Sequence, residues 1–182
     1  LEYYEKALPI WQEVGARSQE ATTLNNIGAV YHSIGQPQKA LEYYEKALPI
    51  SQEVKNRPGE AATLNNIGAV YDNIDKPQKA LEYYEKALPI SQEVGARSGE
   101  ASILNGIGLV YSKIGQPQKA LEYYEKALPI TQEVGDRSGE ASTLNNIGGV
   151  YSEIGQPQKA LEFYDKALPC LLYTSDAADD SG

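Results

Sequence analysis

A 40-residue repeat constrains this chain more than any other feature. The decapeptide LEYYEKALPI starts at Leu1 and recurs every 40 residues, ending with the variant LEFYDKALPC at Leu161. A second block, LNNIGAVY at Leu24, recurs with the same spacing, and its last copy starts at Leu144. Internal repeats of this length indicate an array of stacked units, because one unit is too small to bury its own apolar face.

Each unit contains two helical patterns. The first is predicted over residues 18–34, because Leu24, Ile27 and Tyr31 follow the spacing of one helical face. The second is predicted over residues 37–54 on the same argument. Pro49 lies inside it and recurs 40 and 80 residues later, which predicts a kink near Leu48 and not an end.

Turn residues agree with these two helices. Gly35 follows the first helix, where a left-handed conformation is expected, and Pro37 starts the second. Asp75 replaces the corresponding glycine one unit later, which predicts an altered turn. Ser98 and Ser138 are the predicted N-caps of two first helices. Negative charge in the first turn favours the helix dipole, and the glutamates expected to provide it are Glu60, Glu100 and Glu140.

The period divides the chain into an incomplete unit, four repeats and a tail. The predicted ranges are 1–17 (second helix of a truncated repeat), 18–57, 58–97, 98–137, 138–169 (truncated) and 170–182. In the tail the period is lost, and CLLYTSDAAD resembles the translation of a sequencing adapter. The tail is interpreted either as a read artefact or as a disordered terminus. Because the chain has no methionine, we expect that the natural gene extends upstream or that Leu1 is an arbitrary boundary.

The repeated residues resemble the tetratricopeptide repeat family. Its signature positions correspond here to Leu24, Ile27, Gly28, Tyr31, Ala40, Tyr44 and Ala47. The resemblance implies an all-α fold, an α-solenoid of tandem helix-turn-helix repeats that forms a right-handed superhelix, with a concave face lined by the first helices. The 40-residue period is similar to the repeats of kinesin light chains, Pins-type adaptors and bacterial, notably cyanobacterial, arrays.

Composition excludes several classes of function. The formal net charge is −9 and the sequence pI is about 4.7, which argues against binding to nucleic acid or to an anionic membrane surface. No apolar run is long enough to cross a bilayer. The single cysteine, Cys170, allows no internal disulfide and fits a reducing, cytoplasmic location.

Paired asparagines of the first helices are the main candidate binding residues. Asparagine is a poor helix former, so helix stability does not explain its recurrence. Its amide can bind the backbone of an extended peptide through two donors and one acceptor. The alternative is a structural ladder of amides between adjacent first helices, and both roles can coexist. The candidates are Asn25, Asn26, Asn65, Asn66, Asn105, Asn145 and Asn146.

Positions that differ between the copies are candidates for selecting the ligand. They include His32, Asp72, Lys113 and Glu153 at the ends of the first helices. The alternative is neutral variation at solvated positions. His32 is the only histidine and supports neither a catalytic arrangement nor a metal site. Repeated acids such as Glu53 indicate a solvated face, so no catalytic residue, cofactor or small-molecule substrate is expected.

These observations predict a protein-interaction module, a fragment of a larger protein, that binds an extended peptide or a partner helix in a concave groove. The alternative is a structural spacer or self-associating scaffold, such as the sensor arm of a multidomain signalling protein. Self-association would use the open ends of the array.

Overall fold

A computed structural model describes the backbone of residues 1–179 and the side chains of residues 1–170. Within this part of the chain all regular structure is helical, in nine helices. Their bounds are α1 (Glu2–Glu13), α2 (Arg17–Ser33), α3 (Pro37–Glu53), α4 (Arg57–Asn73), α5 (Pro77–Glu93), α6 (Arg97–Lys113), α7 (Pro117–Glu133), α8 (Arg137–Glu153) and α9 (Pro157–Asp179). The predicted alternation of first and second helices is confirmed, with boundaries shifted by about one residue.

The chain divides into two compact units. Unit 1 comprises Leu1–Ala96, which contains α1 to α5, and unit 2 starts at Arg97 and contains α6 to α9. In each unit a first helix packs against the second helix that follows it. The first helices α2 and α4 also contact each other in unit 1, as α6 and α8 do in unit 2.

Each helix pair is held together by a tyrosine that lies on a glycine. Tyr44 is 1% exposed, and a Cβ built on Gly28 would lie 2.7 Å from its Cε1 atom. Burial raises the pKa of the Tyr44 phenol to about 12, because the ionised form would lose its hydration. The same contact joins Gly68 to Tyr84, so the glycine of each signature block is required for close approach.

Turns after the helices use the left-handed backbone region. Gly35 has a φ of 72°, as predicted, and its N–H donates to the carbonyl of His32 at 3.0 Å. Asp75 adopts the same conformation with a φ of 56°. Lys55 does so as well, with a φ of 54°, although nothing in the sequence pattern indicated it. The turn therefore keeps its shape where glycine is absent, at some cost in backbone strain.

The N-cap prediction was wrong by two positions. α6 and α8 begin at Arg97 and Arg137, so Ser98 and Ser138 lie inside the first turn. In α8 the cap is Asp136, whose Oδ1 accepts from the N–H of Gly139 at 2.8 Å. Asn56 caps α4 in the same way. The side chains of Asn56 and Asp136, one residue before the arginine, accept from the free N–H groups of the first turn. The serine lies inside that turn, past the capping position.

The internal prolines do not end the second helices. α3 runs continuously from Pro37 to Glu53 through Pro49, as the sequence predicted. The kink itself stays a prediction. α9 extends past the predicted end of the repeats to Asp179, and residues 180–182 lie outside the described part. The interpretation of the tail stays a prediction. In the residues that the structure describes, no helix is both long and apolar enough to span a membrane.

Candidate binding surface

One side of each first helix points away from its second helix and is accessible. We call this side the open face. In α2 it consists of Thr22, Asn25, Asn26, Ala29 and Ser33, all exposed or half-buried, and in α4, α6 and α8 of the residues at the same repeat positions. The spacing places these residues on one helical stripe. Most of the candidate residues lie on this face.

In unit 1, Asn25 joins neighbouring first helices. Its Oδ1 accepts from Asn66 Nδ2 at 3.2 Å and lies 3.2 Å from the hydroxyl oxygen of Thr63. The Thr63 hydroxyl is also 2.8 Å from the carbonyl of Gly59. Asn25 and Asn66 are thus committed to contacts between α2 and α4, as the structural ladder predicts.

Unit 2 contains an equivalent contact. Asn105 Nδ2 donates to the Thr143 hydroxyl at 2.9 Å, and that hydroxyl in turn donates to the carbonyl of Gly139 at 2.7 Å. Thr143 is fully buried. The amide of Asn105 therefore has a structural role between α6 and α8.

The amides of the other candidate asparagines are available. Within the described residues, the side chains of these four are half-buried or exposed and have no hydrogen-bond partner: Asn26, Asn65, Asn145 and Asn146. No buried side-chain nitrogen or oxygen in the described part is left unsatisfied, so these amides are reached by water. The candidate asparagines thus divide into a ladder set and an open set.

The variable positions lie at the C-terminal ends of the first helices. Asn73 Nδ2 lies 2.6 Å from His32 Nε2, so the amide donates to the imidazole when the ring proton is on Nδ1. Lys113 and Glu153 are exposed, and Glu153 Oε2 accepts from the Ser112 hydroxyl at 3.3 Å.

Asp72, one of the predicted ligand-selecting residues, is 7% exposed. Its charge contributes to the raised pKa of Tyr84, although burial of the phenol is the larger cause.

A cavity of about 130 Å³ lies beside the open face of unit 1. Its wall is formed by the facing sides of α2 and α4 and by the turn between α3 and α4. The residues that line it are Ala21, Thr22, Asn25, Ser51, Asn56, Gly59, Ala62 and Thr63. Small and polar side chains predominate, so the cavity is suited to water or a small polar group.

An ion-pair network with one buried carboxylate was missed by the sequence analysis. Arg17 binds Glu20 at 2.6 Å and Glu53 at 2.7 Å, and Gln12 donates to Glu20 at 3.0 Å. Glu20 is 5% exposed, and the network joins α1, α2 and α3. The hydrogen bonds to Glu53 and Glu20 raise the pKa of the Arg17 guanidinium.

The same network recurs around Arg57, which pairs with Glu60 and Glu93. Glu60 lies in the first turn, as predicted, but its main partner is an arginine and not the helix dipole alone. Glu53 is exposed, as expected of a residue on a solvated face, and it also forms an ion pair with Arg17. The signal that could have revealed this is an arginine followed 36 residues later by a glutamate in successive units.

Aromatic stacks flank the helix pairs. Tyr31 and Tyr43 stack with ring centroids 5.4 Å apart. Lys39 lies 5.1 Å above the Tyr31 ring, and Lys46 lies 5.1 Å above the Tyr43 ring. Tyr43 is half-buried. Such cation–π contacts order the lysine stems and stabilise the pair of helices.

No cluster of three or more His, Cys, Asp or Glu side chains within the described residues is arranged to hold a metal ion. The accessible chemistry of the open face consists mainly of amides, hydroxyls and small apolar groups, with Leu109, Lys113 and Glu153 as the exceptions. Such groups bind polar backbone and side-chain atoms by hydrogen bonding, which is the chemistry of a recognition surface.

The chain belongs to the tetratricopeptide repeat family. The family's sequence profile, described as Tetratricopeptide repeat, matches residues 1–53, 19–93 and 99–172, which together cover most of the chain. The resemblance inferred from the signature residues is thus confirmed, and so is the all-α repeat fold. No curated protein sequence matches the chain significantly.

Solved structures share this fold. BtubC (BKLC) from P. vanneervenii is 26% identical with a TM-score of 0.78, over 94% of this chain and 74% of that protein. A Podospora anserina protein described as a putative kinesin light chain with nearly identical TPR-like repeats is 18% identical with a TM-score of 0.72, over 96% and 86% of the two chains.

A Rap protein in complex with Competence and Sporulation Factor is 20% identical with a TM-score of 0.87. The match covers 97% of this chain and 49% of that protein, so the chain spans about half the length of the Rap protein. Because the identity is low, this likeness describes the fold and not the activity.

Proposed function

We propose that the chain is a protein-interaction module whose open face binds an extended peptide segment of a partner protein. The observation that carries the proposal is that Asn65 and Asn146, which occupy the same repeat positions as the bonded Asn25 and Asn66, lack hydrogen-bond partners among the described residues. Each amide offers two donors and an acceptor, which complement the N–H and C=O groups of an extended backbone.

Small residues beside these amides support the proposal. Ala29 and Ala69 lie one turn after the asparagines of α2 and α4, and Ala62 lies one turn before those of α4. Short side chains leave room for a peptide backbone to approach the amides. A larger residue at these positions would hold the ligand away from the helix surface.

The Rap complex gives a further reason to expect a protein or peptide partner. In that structure a protein with this fold holds a second molecule, Competence and Sporulation Factor. The net charge of −9 favours association with a neutral or basic peptide over an acidic one, because like charges repel during the encounter.

The test uses peptides selected from a random displayed library on the purified chain. Replacing Asn146 by Ala, or Asn65 by Ala for a peptide that binds unit 1, is expected to weaken binding of a selected peptide by about fivefold, since a lost hydrogen bond contributes on the order of 1 kcal/mol. The control is Glu42→Ala, which changes an exposed second-helix residue away from the open face. Unchanged affinity in both variants, with unchanged helicity by circular dichroism, would overturn the proposal.

A further inference from the structure

The cavity beside the open face of unit 1 has a buried end and an accessible end. Ser51 and Thr63 line the buried end and are 2% and 1% exposed, whereas Thr22 and Ala62 line the accessible end. Both of these last residues belong to the open face, so the cavity can be entered from it. Its volume of about 130 Å³ is roughly that of four water molecules, each of which occupies about 30 Å³ in the liquid.

Ser51 places an unused hydroxyl at the buried end. The two hydroxyls at the same repeat position are both bonded: Ser91 donates to the carbonyl of Ala96 at 3.0 Å, and Thr131 donates to the carbonyl of Leu128 at 2.8 Å. The hydroxyl of Ser51 has no hydrogen-bond partner among the described residues. Every side-chain nitrogen or oxygen sealed from solvent in the described part has a partner, so the Ser51 oxygen is open to the cavity.

Two asparagine amides in the cavity wall add hydrogen-bond donors. The Oδ1 atom of Asn25 is already bound to Asn66 and Thr63, so its Nδ2 is the group left for a ligand. The Oδ1 atom of Asn56 accepts from the N–H of Gly59 at 3.1 Å, which likewise leaves its Nδ2. A Cβ built on Gly59 would lie 2.6 Å from this nitrogen, so the glycine makes room for the amide. The wall therefore offers mainly donors.

The absence of charge in the wall restricts what can enter. Among the described residues that line the cavity, none is charged. A carboxylate would lose its hydration there without a cation beside it, and an ammonium group would face N–H donors. A neutral carboxamide avoids both costs, because its oxygen can accept from Asn25 or Asn56 and from Ser51. Its NH₂ group can donate to the oxygen of Thr22, whose own hydrogen is donated to the carbonyl of Ser18.

We infer that the cavity of unit 1 receives the side-chain carboxamide of one Asn or Gln residue of the bound peptide. The inference rests on the proposed function, because Asn65 would hold the peptide backbone next to the cavity. Asn65 lies one turn after Ala62 on α4, so a backbone bound there can direct a side chain past Ala62. The ligand class is an extended peptide with one carboxamide anchor.

Unit 2 lacks the groups that make this wall. Thr131 replaces Ser51, which adds a methyl group, and its hydroxyl is already bonded. Asp136 replaces Asn56, so a carboxylate stands where unit 1 has a free amide donor. A carboxamide oxygen would meet a negative charge at this position. The anchor is therefore confined to unit 1.

Peptide selection with a random displayed library as the probe tests the cavity. The library is selected separately on the unmodified chain and on the double variant Ser51→Thr and Asn56→Asp, which introduces the residues of the later repeat. Peptides bound to unit 1 are recognised by their weaker binding to Asn65→Ala. We expect those from the unmodified chain to carry Asn or Gln at one fixed position, and those from the double variant to show no such position.

Affinity and stability together exclude a trivial loss of fold. A unit 1 peptide is expected to bind the double variant about tenfold more weakly, and the same loss is expected when its anchor is changed from Asn to Asp or from Gln to Glu. The melting temperature should not change, because aspartate caps a helix as well as asparagine does. The control Ser91→Thr alters a hydroxyl that is bonded within its turn and should leave the affinity unchanged.

The outcomes separate failure of the cavity from failure of the proposed function. Peptides that depend on Asn65 but have no fixed Asn or Gln, that prefer Asp or Glu, or that bind the double variant equally well would overturn the carboxamide site alone. Peptides that depend only on Asn146 would also overturn it, because they bind unit 2. If no peptide is selected, or if binding depends on neither asparagine, the proposed function fails and the carboxamide site with it.

Discussion

Gly28 and Tyr44 are in contact so close that no side chain fits between α2 and the ring on α3. A Cβ at position 28 would lie 2.7 Å from the nearest ring atom of Tyr44, and Gly68 stands in the same relation to Tyr84. The repeat therefore depends on glycine at a mid-helix position where its flexibility is otherwise unfavourable. The distance between the two helices of a pair is set by this contact.

Replacing Gly68 by Ala is expected to destabilise the chain by about 1–3 kcal/mol, the usual cost of overpacking a core. The Tyr84 ring would have to move, and it is buried on all sides. Urea unfolding followed by circular dichroism measures the change. The matched control is Gly149→Ala, where the added methyl group enters open space and stability should rise by up to about 1 kcal/mol. Equal effects of the two substitutions would contradict the close contact.

The arginine network predicts a loss of stability when Arg57 is replaced by Ala. Glu60 is buried and would keep its charge without its main partner. Lys at position 57 should restore only part of the loss, because one ammonium group cannot reproduce the paired contacts to Glu60 and Glu93. Thermal melting provides the measurement. Lys86→Ala, which breaks an exposed pair with Glu82, is the control and should have little effect.

Stability is expected to fall at alkaline pH because of the buried tyrosines. The pKa of Tyr44 is raised from 10.0 to about 12, so the folded state holds its proton more tightly than the unfolded state does. The stabilisation is complete below pH 10 and is lost as the pH rises towards 12. Absorbance at the phenolate band, recorded with circular dichroism, should show the buried tyrosines ionising as the helices unfold. Ionisation of all tyrosines near pH 10 in a fully folded chain would contradict their burial.

The capping residue of α8 can be identified by substitution. Asp136→Ala should destabilise the chain by about 1 kcal/mol, because the N–H of Gly139 loses its acceptor. Ser138→Ala lies two residues later, inside the helix, and is expected to be neutral or slightly stabilising. Denaturant midpoints of the two variants decide between these positions. A larger loss of stability in Ser138→Ala than in Asp136→Ala would show that Ser138 is the cap, as the sequence pattern indicated.

The periodic core could be predicted because apolar spacing alone determines it. Leu24, Ile27 and Tyr44 repeat at fixed intervals, and each was expected on the buried side where the structure places it. Helix boundaries followed from Gly35 and Pro37. These predictions need only local periodicity and turn chemistry, which a single sequence contains.

Contacts between distant residues were harder to predict. Glu53 has the charge of a solvated residue, and its partner Arg17 lies 36 positions away on another helix. Asp72 is buried, although its position is half-exposed or exposed in the other copies. The roles of the asparagines could be distinguished only in the structure, because Asn25 has a partner on the next first helix and Asn65, at the same repeat position, has none among the described residues.

The sequence separation between the residues that form polar contacts affects how such a gene can change in length. Asn25 binds residues 38 and 41 positions ahead, and Arg57 binds residues 3 and 36 positions ahead, so each bond stays within one repeat length or extends only slightly past it. Recombination between two aligned copies of the DNA would remove or add one repeat's worth of codons at a time. The helices that become neighbours would carry the same hydrogen-bonding and charged residues at the same sequence separations. The array could therefore gain or lose one repeat at a time without evolving a new interface.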